Sequence, residues 1–297
     1  MNYAEDTVQF DCDGATLLGI VTKPTDDQYT SDTGVIIIVG GPQYRAGSHR
    51  QFVLTARHLA IHGYPAFRFD YRGMGDSEGD SHDFLNVERD VSAAAQAFVK
   101  NFPRVNKIVL WGLCDGASAA LLTWGDLTAA PVVGLCLLNP WVRSEAGLAR
   151  THVKYYYLQR LRDREFWLKL FSGRIAGTAV LGLVNNLKLA GKIPKKTTSA
   201  SFQNRMAQAL KRFDGATLLI LSGADHTAQE FIEHSRTDIN WQGLLNYKNI
   251  VVKNIAGADH TFSNFDDKIT TDDITVIWLD NITSRPSRPT NHDQKFV

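Results

Sequence analysis

The stretch Leu110-Trp111-Gly112-Leu113-Cys114-Asp115-Gly116-Ala117-Ser118 holds the residue of greatest chemical interest in this sequence, a thiol set in Gly-x-Cys-x-Gly. An apolar, strand-like run over residues 107–111 leads into it. A run of small residues, 117–122, leads out as a helix. A strand that turns this sharply into a helix leaves no room for side chains beside the central residue, and glycine at both two-residue offsets meets that demand. Cys114 would then stand at the N-terminus of a helix, where the dipole favours an anion. The pattern alone fits a nucleophile and equally a structural cysteine buried in a turn.

A thiol nucleophile needs a base to take its proton, and the base needs an acid to orient it. Two later strand ends offer both. The run 217–221 closes on Ser222-Gly223-Ala224-Asp225, and 250–255 closes on Ala256-Gly257-Ala258-Asp259-His260. In open sheets flanked by helices, active-site groups sit just past the carboxyl ends of strands. Cys114, Asp225 and His260 each occupy such a place, in the order nucleophile, acid, base. Each has a plainer alternative: Asp225 as the N-cap of a helix starting at Thr227, and His260 as a surface-loop histidine. His226 and Asp259 are the neighbours most easily confused with the pair, and are read as supporting or solvent-facing.

The elements around these residues predict an α/β fold. Residues 8–10 and 15–21 read as two short strands joined by the hairpin signal Asp13-Gly14. Residues 33–39 form a β-branched run suited to a strand covered on both faces. From there strands (64–69, 107–111, 132–138, 217–221, 250–255) alternate with helices (51–62, 84–101, 271–282). That order gives a mostly parallel central sheet with an initial antiparallel hairpin and helices on both faces. One segment interrupts it. Residues 143–212 contain fifteen Lys or Arg against three Asp or Glu, interleaved with Tyr155, Tyr156, Tyr157, Phe166, Trp167 and Phe171. The reading is a core over 1–140 and 214–283, a helical basic insertion over 141–213, and a disordered tail over 284–297.

Composition bounds the rest. The 297 residues have a formal net charge of +1, so overall charge points to no partner. Three scattered cysteines, Cys12, Cys114 and Cys136, make neither a disulfide framework nor a metal-ligand spacing. The polar start is unlike a secretory signal, and no run reaches transmembrane length. The expectation is a cytoplasmic protein with no metal and no cofactor. Nucleic acid is not an expected partner, because no recognition motif accompanies the charge.

Taken together, the segment Asp70-Tyr71-Arg72-Gly73-Met74-Gly75-Asp76-Ser77, the turn at Cys114, Asp225 and His260 resemble the α/β-hydrolase superfamily, over nearly the whole chain. The combination of Gly40-Gly41-Pro42-Gln43-Tyr44-Arg45-Ala46-Gly47-Ser48-His49-Arg50 with Gly-Leu-Cys-Asp-Gly resembles, more narrowly, the first of two hydrolases associated with exosortase A systems, bacterial proteins linked to exopolysaccharide loci. Dienelactone hydrolases also resemble the chain in their elbow cysteine, but they are compact and lidless.

The resemblance implies a hydrolase near the inner membrane, a lid where the insertion falls, and an oxyanion hole using the amide of Asp115. Relatives draw a second donor from the loop after the third strand. Here that residue is Pro42, which has no N–H, so Gly41 or Gln43 takes its place. Arg72 and Asp76 read as structural braces; Arg45, His49 and Arg50 read as an anion site or a solvated helix start. The expected activity is attack of Cys114 on an ester, thioester or lactone, ending in hydrolysis or acyl transfer. The alternative is a binding or scaffold protein on the same fold. The basic insertion suggests a lipid-like acyl substrate, an anionic membrane surface or an acyl carrier.

Overall fold

A computed structural model of the chain describes residues 3–26, 30–41, 43–143 and 201–284. Strand β3 (Thr33–Ile38) lies inside the sheet with all six residues buried, as its β-branched text requires. Around it runs one eight-stranded sheet. Its strands in chain order are β1 (Tyr3–Cys12), β2 (Ala15–Pro24), β3, β4 (Ala66–Phe69), β5 (Lys107–Leu113), β6 (Val132–Leu138), β7 (Ala216–Ser222) and β8 (Ile250–Ile255). In space the order is β1-β2-β4-β3-β5-β6-β7-β8. The pairs β1/β2 and β2/β4 are antiparallel, and every later pair is parallel. The expected architecture is the observed one. Asp13 and Gly14 both take positive φ, 54° and 83°, the backbone a two-residue hairpin demands.

Side-chain alternation assigns the two faces. A Cβ at Gly34 would run into Phe98 of α2 (Glu88–Asn101). Trp111 sits level with Ile37, three residues further along β3 and so on the other face. There it packs edge-on against Phe52 of α1 (Gln51–Ile61), with centroids 5.8 Å apart. Helix α6 (Phe265–Thr283) joins α1: Thr55 Oγ1 donates to Asp272 Oδ1 at 2.8 Å, and both groups are buried. On the α2 face lies α3 (Asp115–Thr123), and α4 (Phe202–Arg212) packs on α3. Helix α5 (His226–Thr237) follows β7.

Three elements begin four or more residues away from the sequence reading. Strand β1 spans ten residues, because its exposed face is tied down by charge: Glu5 accepts from Arg57 at 2.7 Å and Arg68 at 3.0 Å. Helix α2 begins at Glu88, since the Asp83 carboxylate takes the Leu85 N–H at 3.1 Å and sets a turn where residue 84 was expected to start the helix. Helix α6 begins at Phe265, capped by Asn264, whose Oδ1 accepts from Asp266 N at 2.9 Å.

Helix α4 packs on α3, so the core resumes before the expected residue 214. Residues 144–200, with most of the expected lid, lie outside the described residues, as does the tail from 285. Among the described residues, no helix is long and apolar enough to cross a membrane.

Candidate active site

Cys114 sits between β5 and α3 with φ 59° and ψ −124°, a conformation that costs a non-glycine residue roughly 1–3 kcal/mol. The surroundings hold it there. Its N–H donates to Leu138 O of β6 at 2.9 Å. Its carbonyl accepts from Ala117 N at 3.1 Å, and from Ser118 N and Trp141 N at 3.2 Å. The flanking glycines are sterically obligatory. A Cβ at Gly112 would strike the Gly116 carbonyl, and one at Gly116 would lie 2.5 Å from Ile38 O. The thiol is partly exposed, whereas Cys12 and Cys136 are buried. Burial pushes the Cys12 thiol up to about 11 and that of Cys136 higher still, which keeps both inert.

His260 Nδ1 lies 2.8 Å from Asp225 Oδ2. The Asp225 side chain is 7% exposed and that of His260 35%. Asp225 is also the N-cap of α5: Oδ1 accepts from Thr227 N at 3.1 Å and Oδ2 from Ala228 N at 3.0 Å. The two sequence readings of Asp225 are therefore both true of one side chain. Burial works to raise its pKa, but the His260 hydrogen bond and charge, with the two N–H donors, leave it below the usual carboxylate range. His260 is pushed up to about 10, first by the hydrogen bond to Asp225 and then by one with the Cys114 side chain, against the opposing effect of burial. Nδ1 is thus turned to Asp225. Asp259 has a different task. It closes its own loop by accepting from Thr261 N at 3.1 Å and Ser263 N at 2.9 Å.

The sequence reading missed the residue that ties these loops together. Asn139 is fully buried with φ 44°. Its Nδ2 donates to Ser222 Oγ at 2.7 Å and to the His260 carbonyl at 3.0 Å, and its Oδ1 accepts from Ser222 N at 2.8 Å. Ser222 Oγ in turn donates to the Asp259 carbonyl at 2.8 Å. Asn139 thus holds the ends of β6 and β7 and the His260 loop in one network. The available signal was an asparagine directly after a buried strand, a residue type that tolerates positive φ.

The loop after β3 departs from expectation. The Gly41 N–H, one expected oxyanion donor, is committed to Asp115 Oδ2 at 2.7 Å, while Asp115 Oδ1 accepts from Gly116 N at 3.1 Å. Gly40 leaves the space for this, since a Cβ there would collide with the Asp115 carboxylate. Burial raises the Asp115 pKa, against the opposing pull of these N–H groups. The Gln43 side chain accepts from Ser48 N at 3.2 Å. Arg45 is not free for an anion: it pairs with Asp70 and, at 2.6 Å, with Asp76. Arg72 forks onto buried Asp90 and reaches Asp13 at 2.8 Å, so the braces expected at 72 and 76 are in place. His49 and Arg50 form an exposed turn with positive φ, 52° and 60°.

Comparison with known proteins agrees with this architecture. Among solved structures, an esterase of Pyrococcus furiosus, Pf2001, superposes with a TM-score of 0.61 at 15% identity, covering 95% of this chain and 94% of that one. The alpha/beta hydrolase GrgF from Penicillium sp. sh18 gives 0.61 at 15%, covering 95% and 99%. Est1E from Butyrivibrio proteoclasticus, in its structure with ferulic acid bound, gives 0.58 at 17%, covering 92% and 98%. These likenesses speak to fold. Among characterised sequences, the quorum-quenching protein AidA of Acinetobacter baumannii (strain MDR-ZJ06) is 29% identical over 136 residues, a match spanning 43% of this chain and 42% of that protein. The sequence model described as "Alpha/beta hydrolase family" matches residues 35–268, from within β3 to within α6. With most of the chain matched and the sheet in this order, the chain belongs to the alpha/beta hydrolase family.

Proposed function

We propose that this protein is an esterase- or thioesterase-like hydrolase, or an acyltransferase, with Cys114 as nucleophile, His260 as base and Asp225 as the orienting acid. The observation that carries the reading is the His260 ring, held at Nδ1 by the buried Asp225 carboxylate, with a partly exposed Cys114 at the strand-to-helix turn. His260 takes the Cys114 proton first, which its raised pKa lets it hold, and Sγ then attacks the carbonyl carbon of an ester, thioester or lactone. The tetrahedral oxyanion collapses, the C–O or C–S bond of the substrate breaks, and the leaving group takes the proton from His260. Acylation removes one of the two groups that raise the His260 pKa, so the imidazolium becomes a better acid when the leaving group needs a proton. Water, or an acceptor hydroxyl, then loses a proton to His260 and attacks the thioester, and the thiol is restored. The Asp115 amide and the Gln43 amide are the oxyanion donors of this scheme, because Gly41 is engaged by Asp115 and Pro42 has no N–H.

The narrower resemblance of residues 40–50 supports a role in exopolysaccharide-linked metabolism. The excess of basic residues over 143–212 supports a lipid-like or carrier-bound acyl substrate and peripheral contact with the inner membrane. One observation favours a second reading, a binding protein on a hydrolase fold: the Gly41 amide is occupied within the protein. An electrophilic acyl probe separates the two. Saturable labelling of wild type that disappears in Cys114→Ala supports the enzyme; an inert Cys114 refutes it.

A further inference from the structure

The loop after β3 is held at two points, and at both the holder is a carboxylate. Gly41 N donates to Asp115 Oδ2 at 2.7 Å, and Arg45 N donates to Asp70 Oδ1 at 2.6 Å. The Asp70 side chain is fully buried and also pairs with the Arg45 guanidinium, so that end of the loop is fixed. Gln43 lies midway, two residues from each holder. Its side chain is tied to Ser48 N, but among the described residues no acceptor takes its backbone N–H. Backbone donors in folded proteins are paired with protein or with solvent. One left without a protein partner, on a loop fixed at both sides, is free to serve a ligand.

The Asp115 end is built from three residues that fit one another. Gly40 leaves room for the carboxylate, since a Cβ there would collide with Oδ1. Gly41 has φ 58°, a turn that a side chain would strain. The second carboxylate oxygen accepts from Gly116 N at 3.1 Å, in the first turn of α3. There the helix dipole favours a negative charge. One side chain thus fastens the loop to the helix that begins directly after Cys114. The same residue's own N–H is an oxyanion donor in the scheme above, and the Gln43 N–H is the other. Such donors help only when held where the charge develops, so their spacing bears on turnover more than on substrate binding.

We propose that the Asp115 side chain is a positioning residue that sets the place of the Gln43 N–H relative to the Asp115 N–H. The occupied Gly41 amide is then a support of the oxyanion hole. The proposal rests on the reading of Cys114 as nucleophile, and the test separates the two.

Asp115→Ala and Asp115→Asn are compared with wild type on p-nitrophenyl butyrate, and amide hydrogen exchange is followed at Gly41. Alanine removes both acceptors. It should lower kcat by about 10²–10³, as loss of one oxyanion donor does, with KM within about threefold of wild type and faster exchange at Gly41. Asparagine keeps one acceptor for the Gly41 N–H. It should regain about tenfold or more of the lost kcat and restore slow exchange. Wild-type kcat in the alanine variant overturns the proposal. So does a higher kcat, which would make the contact inhibitory, and so does a loss confined to KM. Where the alanine variant does not fold, asparagine decides. Turnover within about tenfold of wild type with slow Gly41 exchange supports the proposal, and a larger loss with exchange still slow refutes it. Wild type that neither turns over the ester nor is labelled at Cys114 refutes the nucleophile, and the oxyanion role with it. Turnover in wild type that alanine leaves untouched refutes the positioning role alone.

Discussion

Replacing Asp225 by Asn tests two functions of one side chain at once. Its carboxylate accepts three hydrogen bonds: Thr227 N at one oxygen, Ala228 N and His260 Nδ1 at the other. Asparagine has one acceptor oxygen. If that oxygen takes the shared position, the amide NH₂ faces the Thr227 N–H and half of the cap is lost. If the amide is turned over, NH₂ faces His260 and forces the wrong tautomer. The better arrangement still loses a cap bond and the negative charge, a cost of about 1–2 kcal/mol in stability and a fall of a few degrees in Tm. Turnover should fall by about 10³–10⁴, as when the orienting acid of a triad loses its charge.

The pH dependence of stability supplies an independent sign. His260 has a folded pKa of about 10 against an ordinary 6.5. Its contribution is therefore full below about 6.5 and is lost as pH rises through about 10. In Asp225→Asn the folded value drops and this window contracts. NMR titration of His260, thermal melts between pH 6 and 10, and ester turnover together measure all three effects. An Asp225→Asn protein within tenfold of wild-type turnover, with an unmoved His260 titration, would refute the reasoning. Loss of activity in Asp259→Asn instead would move the acid role there.

Asn139→Ala removes three buried hydrogen bonds and strands Ser222 N and the His260 carbonyl. It should cost about 2–4 kcal/mol in urea unfolding and lower kcat, and a cost under 1 kcal/mol would show the network to be dispensable. Gly116→Ala places a Cβ 2.5 Å from the Ile38 carbonyl, whereas nothing lies within 4 Å of one at Gly125. The first should fail to accumulate as folded protein and Gly125→Ala should melt like wild type, and equal melting of both would disprove the packing argument.

What could be read from the sequence depended on the range of the interaction. Strand β3 was legible because continuous β-branched residues have few other uses, and the turn at Cys114 because its glycines sit at offsets fixed by local sterics. Asp225 and His260 were legible as residues just past strand ends. The start of α2 was not, because the Asp83 side chain competes for a backbone N–H that apolar spacing assigns to a helix. The bond from Gly41 to Asp115 joins residues 74 positions apart, and only the closing of β3 beside β5 creates it. Asn139 was hidden for the same reason: its partners come from two later strand ends.

The turn at residue 114 also separates architecture from reactivity. Everything that fixes its backbone comes from elsewhere: the glycines at 112 and 116, the Leu138 carbonyl, and the N–H groups that converge on its own carbonyl. None of these contacts uses the sulfur atom. The scaffold works as a mount, and the sulfur proposed as nucleophile is an exchangeable part fitted to it. Selection can therefore exchange sulfur for oxygen at this position, altering nucleophilicity and the lifetime of an acyl intermediate, without rebuilding the sheet that presents it.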